Sequence, residues 1–323
     1  MRPKKKIMLA INGDELEKPP VLPLIGAHSA VLAGINPVKA FYDGRLMARL
    51  QVKAARFYRP DGVFHYMDLT LEAEALGANV EFKGHFPAVV RHCVPGDIEF
   101  DENDGRIKEF ISAIKLLSEE LGDELFIGSY VTGPLTLAME LLGSREVARW
   151  LVKKSNIVDD MLPKLSSFVS SYARALIDAG ADGVMILEPC CALASPRVFK
   201  SIVPFLNRIC HAVSSRDAYP FLHICGDTTH LLNLFPEVDA SVYHVDSAVS
   251  LEGARRVLGC RCLMGNVDTS ALLTSDKESI FNAAKKCVEE AGIRCYILSA
   301  GCEVPPRTPP ENLKALITAV RDT

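Results

Sequence analysis

The chain has 323 residues, of which 49% are apolar and 24% are charged. This composition is typical of a folded globular protein and excludes a disordered or fibrous one. Its 36 Lys and Arg residues against 40 Asp and Glu residues give a formal net charge of -4, so the sequence offers no basic excess for binding nucleic acid.

The amino-terminal residues predict neither a secretion signal nor a membrane anchor. A basic stretch at residues 2–6 is followed by a short apolar run that ends at Asn12. This run is shorter than the apolar region of a signal sequence. No uncharged apolar run reaches the roughly 18 residues that a membrane-spanning helix needs. We therefore expect a cytoplasmic protein with no membrane contact, in which the ten cysteines are reduced thiols or metal ligands.

Short apolar segments alternate along the chain with segments of helical periodicity. Eight segments have the pattern of buried parallel strands: 21–25, 62–66, 125–129, 183–187, 220–224, 241–245, 261–264 and 295–298. The predicted helices between them include 135–142, 148–179 with a break near Asn156, 196–214, 250–258 and 277–291. This alternation predicts a parallel sheet with helical connections.

The number of predicted strands favours a closed barrel over an open doubly wound sheet. No linker divides the chain, so we expect an α/β fold in which residues 1–323 form a single (β/α)8 TIM barrel domain. Residues 1–20 predict a helical lead-in before the first strand. Residues 77–104 are too many for an ordinary loop and alternate in polarity at 78–82, which predicts a small hairpin-like insertion after the second strand.

Polar side chains follow the predicted strands, where barrels of this kind carry out their chemistry. His223 and Cys225 stand two residues apart at the end of the fifth strand, and the period-two alternation points both side chains the same way. Cys302 follows the eighth strand in a loop bounded by Gly301 and Pro305. Imidazole and thiolate together suit zinc, so these three residues are candidate ligands of a catalytic zinc. The alternative is that they are ordinary core residues.

Three more polar residues at strand ends are candidates for catalytic roles. Glu188 ends the fourth strand, beside the strand of His223, and is either a fourth zinc ligand or a base for a substrate proton. A structural ion pair with a neighbouring Arg or Lys is the alternative for Glu188. His244 and Asp246 alternate at the end of the sixth strand, so they either orient the metal ligands, bind substrate or form structural hydrogen bonds.

The order of these motifs resembles the uroporphyrinogen decarboxylase superfamily and, within it, the methylcobamide:coenzyme M methyltransferases. The resemblance covers nearly the whole chain and rests on Asp68-Leu69-Thr70-Leu71-Glu72, Thr132-Gly133-Pro134, Ala179-Gly180-Ala181-Asp182-Gly183, His223-Ile224-Cys225-Gly226-Asp227, Gly265-Asn266-Val267-Asp268 and Gly301-Cys302. It implies a (β/α)8 barrel, and it makes His223, Cys225 and Cys302 the zinc ligands that the methyltransferase branch uses. The decarboxylase branch lacks the metal and carries an Arg-containing motif after the first strand, whereas residues 23–30 contain no Arg.

The resemblance therefore implies a zinc-dependent methyltransferase that moves a methyl group from methylcobamide to a small thiol such as coenzyme M. We expect the methylcobamide on a separate corrinoid protein, because the sequence contains no Asp-x-His-x-x-Gly cobalamin-binding motif. Three alternatives stay open. They are a porphyrinogen decarboxylase, methyl transfer to another acceptor such as homocysteine or a pterin, and a barrel that binds metal or corrinoid without catalysis.

Overall fold

A curled sheet of parallel strands forms the centre of the molecule. The computed structural model describes residues 1–153 and 156–321. The strands in these ranges are β1 (Gly62–Phe64), β2 (Asn79–Lys83), β3 (Phe86–Arg91), β4 (Phe126–Thr132), β5 (Gly183–Leu187), β6 (Tyr219–Ile224), β7 (Val242–Val245), β8 (Cys262–Val267) and β9 (Tyr296–Ala300). Seven of them pair in the order β1-β4-β5-β6-β7-β8-β9, all parallel, while β2 and β3 form a separate antiparallel hairpin.

Helices connect the strands of the sheet. The α-helices of the described ranges are α1 (Pro3–Asn12), α2 (His28–Leu32), α3 (Gly44–Tyr58), α4 (Leu71–Ala75), α5 (Ile107–Leu121), α6 (Pro134–Leu142), α7 (Ser144–Lys153), α8 (Asn156–Asp178), α9 (Pro196–Ser214), α10 (Leu251–Leu258), α11 (Thr269–Thr274), α12 (Lys277–Ala291) and α13 (Pro310–Thr318). Three 3-10 helices span Pro37–Tyr42, Pro189–Leu193 and Thr229–Glu237. None of these helices combines the length and the hydropathy needed to cross a membrane. Residues 154 and 155, next to the predicted break near Asn156, lie outside the described residues.

Alternation along the strands sorts side chains between two hydrophobic clusters. On β6, Phe221 belongs to an inner cluster, whereas Leu222 and Ile224 pack in the larger cluster with the helices. On β7, Val242 is an inner residue in the same way. Successive side chains of a strand point to opposite faces. The same alternation therefore points His223 of β6, and His244 beside it on β7, towards the inner side. The core thus fixes which residues of β6 and β7 can reach a site at the strand ends.

The first predicted strand, residues 21–25, is not a strand of the sheet. Only an isolated parallel bridge joins Val21 to Leu298 of β9. Around it, the Leu22 N–H donates to the Leu298 carbonyl and the Leu298 N–H donates to the Pro20 carbonyl, both at 2.9 Å. Pro20 and Pro23 have no N–H to donate, which interrupts the hydrogen-bond ladder on this segment. The other seven predicted strands overlap the seven strands of the sheet.

The lead-in and the insertion form where the sequence predicts them. Helix α1 occupies half of residues 1–20, and the hairpin β2–β3 lies within residues 77–104. Just after the insertion, the buried Arg106 forms ion pairs with Asp68, which follows β1, and with Glu74 of α4. The insertion is therefore tied to the carboxyl end of β1.

Candidate metal centre

The three predicted zinc ligands come together where β6 and β9 end. His223 lies on β6, Cys225 follows this strand directly, and Cys302 comes two residues after β9. Their ligand atoms all lie within 4.8 Å of one another, and the two sulfur atoms are 3.5 Å apart. Tetrahedral zinc with Zn–S bonds of about 2.3 Å holds two sulfur ligands about 3.8 Å apart. The arrangement therefore fits one zinc ion, and it is the one such group found among the described residues.

The imidazole of His223 presents a free lone pair to this cluster. Its Nδ1 lies 3.2 Å from the backbone carbonyl of His244, and because a carbonyl only accepts, Nδ1 carries the ring proton. The lone pair is then on Nε2, which is buried without a hydrogen-bond partner. Histidine ligands of metals are commonly oriented by such a hydrogen bond from the second ring nitrogen. His223 is therefore preset in the tautomer that binds metal through Nε2.

The two cysteines share a negative charge. The contact with Cys302, followed by the proximity of His223, lowers the pKa of Cys225 to about 5. The same contact with Cys225, together with burial, raises the pKa of Cys302 well above its usual range. At neutral pH the pair therefore holds a thiolate on Cys225 and a thiol on Cys302, and a metal ion would displace the remaining proton.

Cys302 reaches Cys225 across two intervening strands, β7 and β8. The Nε2–H of His244 donates to the Ala300 carbonyl at 2.8 Å and so ties the end of β9 to β7. At the next residue, a Cβ on Gly301 would lie 2.5 Å from the backbone nitrogen of Ser247. Only glycine permits so close a passage, and this passage directs Cys302 towards the end of β6.

His244 also contacts the ligand histidine directly. Its ring lies against that of His223, with the centroids 4.5 Å apart and the planes inclined by 30°. Burial, with a further contribution from His223, lowers the pKa of His244 to about 3. The ring is therefore neutral at physiological pH and acts here as a structural link between the two segments that carry ligands.

Asp246 holds the turn after Cys225. Its Oδ2 accepts a hydrogen bond from the Gly226 N–H at 2.9 Å and lies 3.6 Å from the Cys225 sulfur. Its Oδ1 accepts from the Ala248 N–H at 3.0 Å. Burial acts against the charge, but the backbone hydrogen bonds outweigh it and keep the pKa of Asp246 below its usual range. A fixed carboxylate thus lies beside the Cys225 sulfur.

Glu188 does not join the cluster. Its side chain is fully buried at the amino end of α6, where it accepts hydrogen bonds from the Leu135 N–H at 3.0 Å and from the Thr136 N–H at 2.7 Å. The Thr136 hydroxyl donates to the same carboxylate. These donors, together with the positive end of the helix, account for its position. The structure therefore gives no support to Glu188 as a fourth ligand, and its neighbours are not the Arg or Lys of the alternative interpretation.

Two further residues near Cys302 were not singled out from the sequence. Glu303 accepts a hydrogen bond from the Met67 N–H at 3.2 Å, and burial raises its pKa to about 8. Its carboxylate occupies the space that a Cβ on Gly26 would need. Tyr130 of β4 has a buried hydroxyl without a hydrogen-bond partner. The adjacency of Glu303 to Cys302 was visible in the sequence, whereas Tyr130 precedes the strand end by two residues.

The fold and the cluster together define a class of protein. It is the class of parallel α/β proteins that carry a cluster of polar side chains, here His and Cys, at the carboxyl ends of their strands. The family model of uroporphyrinogen decarboxylase (URO-D) matches residues 2–323, and the chain belongs to this family. The resemblance that the sequence motifs indicated is thereby confirmed.

Individual relatives include both branches of the family. The chain is 26% identical to the methylcobamide:CoM methyltransferase MtbA of Methanosarcina mazei, over 99% of this chain and 98% of the relative. It is 27% identical to a uroporphyrinogen decarboxylase of Streptomyces avermitilis, over 90% of this chain and 84% of the relative. The solved structure of a methyltransferase from Methanosarcina mazei has a TM-score of 0.90 to this chain, with 28% identity and coverage of 100% of this chain and 99% of that one.

Proposed function

We propose that the protein is a zinc-dependent methyltransferase that moves a methyl group from a methylated corrinoid to a thiol such as coenzyme M. The observation that carries the proposal is the His223, Cys225 and Cys302 cluster, in which a buried imidazole lone pair and two sulfur atoms face one another. The similarity to proteins named methylcobamide:CoM methyltransferase supports it. The decarboxylase relative keeps the second function open.

The ligand set suits the activation of a thiol. Zinc held by His223, Cys225 and Cys302 would bind the acceptor as a thiolate, because a thiol that coordinates a metal loses its proton. In the transfer, a sulfur–carbon bond forms and the cobalt–carbon bond breaks, while the electron pair of that bond stays on the corrinoid cobalt. The thiol proton passes to solvent. Both cysteines are partly accessible, so substrates can approach the sulfur side of the cluster.

The remaining predicted site residues have positioning parts in this proposal. His244 fixes the His223 tautomer through its own backbone carbonyl and holds the end of β9 through its side chain. Asp246 fixes the turn that carries Cys225. Glu188, which the sequence offered as a catalytic group, instead stabilises the start of α6 in this scheme.

The closed barrel and the single domain over residues 1–323 also belong to the proposal. The extended segment around Val21 lies between β9 and the residue before β1, since the Asp61 N–H donates to the Val21 carbonyl at 2.9 Å and Val21 bridges Leu298. These contacts support an eighth barrel position filled by an irregular strand. The open carboxyl face would then receive the methylated corrinoid on its separate carrier protein.

The test is methyl transfer by the zinc-loaded protein. We expect that methylcobalamin and coenzyme M together will yield the methyl thioether, seen by mass spectrometry, as the absorbance of the methylated corrinoid decays. Cys302→Ala should abolish the reaction, whereas Cys260→Ala, at an exposed cysteine outside the cluster, should not. No decay with methylcobalamin or with a methylated corrinoid protein would contradict the proposal. Formation of coproporphyrinogen from uroporphyrinogen would favour the decarboxylase, and a parallel screen with homocysteine and a pterin tests the other acceptors.

A further inference from the structure

A tyrosine of β4 points into the interior of the sheet, the side to which His223 of the candidate metal centre also points. Tyr130 of β4 packs in the inner cluster, with its ring centroid 4.8 Å from that of Phe64. The strand register aligns Tyr130 with Met185 and Met185 with Phe221, two residues before His223 on β6. Tyr130 therefore points into the same interior as His223, from a strand two positions away in the sheet.

The hydroxyl of Tyr130 has no structural partner. It is fully buried and makes no hydrogen bond within the described residues. A buried hydroxyl without a partner destabilises the folded state, and phenylalanine would fill the same apolar surroundings without this cost. Burial raises the pKa of Tyr130 well above its usual value, and the neighbouring acidic groups of Glu303 and Cys302 add to this rise. The hydroxyl thus remains a proton donor and lies within electrostatic reach of the cluster.

We propose that Tyr130 is a substrate-positioning residue whose hydroxyl donates a hydrogen bond to the thiolate sulfur of the methyl acceptor. The inference rests on the proposed function and extends it to the recognition of the acceptor. A thiolate accepts such a hydrogen bond strongly because it is charged. The methylated product is a neutral thioether, which is only a weak acceptor. Tyr130 therefore favours binding of the thiolate over retention of the product.

Binding to the zinc-loaded protein tests this difference. We expect Tyr130→Phe to weaken coenzyme M about tenfold in a calorimetric titration, and to leave the affinity for its S-methyl thioether unchanged. In turnover the variant should raise KM without lowering kcat. The melting temperature should stay the same or rise, since the change removes an unpartnered buried group, and zinc content should be unchanged.

Tyr172→Phe is the matched control. The hydroxyl of Tyr172 is also buried without a partner, but its charged neighbours are Glu72, Asp68 and Arg106 instead of the cysteines. This variant should bind coenzyme M as the unchanged protein does. Equal coenzyme M affinity in Tyr130→Phe would overturn the inference, as would an equal loss of thiol and thioether affinity or a loss of zinc. Failure of the unchanged zinc-loaded protein to bind any thiol would instead count against the proposed function itself.

Discussion

Two groups of buried ionisable residues lie at the carboxyl ends of the same sheet, and they differ in how their polar atoms are satisfied. The sulfur side consists of His223, Cys225 and Cys302 at the ends of β6 and β9. The carboxylate side consists of Glu72 and Glu188, on either side of the end of β4. On the carboxylate side the side-chain oxygens accept hydrogen bonds from backbone N–H groups and threonine hydroxyls. On the sulfur side Nε2 of His223 has no partner.

This contrast separates structural from functional polar groups. Buried polar atoms are nearly always hydrogen-bonded, because burying them without a partner costs free energy. The carboxyl groups of Glu72 and Glu188 therefore already have their hydrogen-bond partners within the fold. The free lone pair of His223 and the adjacent sulfur atoms require an additional ligand to become satisfied. The comparison predicts that changes on the sulfur side will alter metal binding and changes on the carboxylate side will alter stability.

The largest effect should follow removal of a sulfur ligand. We expect the unchanged protein to bind about one zinc per chain, and Cys225→Ala and Cys302→Ala to bind almost none, because a catalytic zinc needs three protein ligands. Atomic emission of the dialysed proteins measures this. Cys260→Ala and Cys190→Ala are the controls, since these cysteines lie outside the cluster, and they should keep the metal. Zinc binding that is indifferent to Cys225 and Cys302 would return both to a structural role.

Removal of Glu188 should lower the stability of the protein and leave its zinc binding unchanged. Glu188→Ala leaves the N–H groups of Leu135 and Thr136 and the Thr136 hydroxyl without their acceptor, and we expect the free energy of unfolding to fall by about 3 kcal/mol. Zinc content of the folded protein should not change. Chemical denaturation followed by circular dichroism measures the first quantity, and Glu188→Gln, which keeps one acceptor oxygen, should lose less. A folded Glu188→Ala protein without zinc would restore Glu188 as a ligand and break the comparison.

Removal of the contact between His244 and the end of β9 should weaken zinc binding without abolishing it. His244→Phe keeps an aromatic ring against His223 but removes the Nε2–H that donates to Ala300. We expect zinc affinity to fall about 10- to 100-fold, as with other residues that orient metal ligands. Competition with a chelator of known affinity measures the change. If the affinity were unchanged, β9 would be held in place without His244, and the route of Cys302 across the strand ends would need another explanation.

The closeness of His223, Cys225 and Cys302 was predictable from the sequence because strand alternation and strand ends are local signals. His223 and Cys225 lie two residues apart, and the inner position of Phe221 on the same strand agrees with this alternation. Cys302 was predicted from its place after a strand, but its route to Cys225 was not. That route depends on the hydrogen bond from His244 and on the close passage of Gly301, which join segments more than fifty residues apart.

The misassigned features have equally specific causes. The segment 21–25 has a strand-like apolar pattern, but Pro23 within it and Pro20 just before it lack N–H donors, so it forms a single bridge. Glu188 lies at a strand end, as His223 does. Only the position of α6 shows that its oxygens already accept hydrogen bonds from the Leu135 and Thr136 N–H groups. Tyr130 was missed because it lies within β4, two residues before the end of the strand, where the sequence gives no sign of an unpartnered hydroxyl. Each error concerns a contact between distant parts of the chain.

The last expected effect concerns the dependence of stability on pH. Burial raises the pKa of Glu72 to about 7 in the folded protein, from an ordinary value of 4.5. Between these values the folded state binds the additional proton, so stability falls as pH rises from about 4.5 to about 7 and then levels off. Glu72→Gln resembles the protonated form and should lack this contribution. We expect the variant to gain about 3 kcal/mol relative to the unchanged protein as the pH rises to 7.

Urea denaturation at several pH values measures the difference between the two proteins. Glu81→Gln, on the exposed side of the hairpin, is the matched control, and its difference from the unchanged protein should not vary with pH. A Glu72→Gln difference that is also flat would mean that the two Thr132 donors stabilise the charge enough to cancel the burial cost. In that case the carboxylate side would hold a fully stabilised anion. The contrast with the sulfur side would then be between a hydrogen-bonded charge on Glu72 and the unpartnered lone pair on Nε2 of His223. It would separate the two sides more clearly than a comparison of hydrogen-bond partners alone.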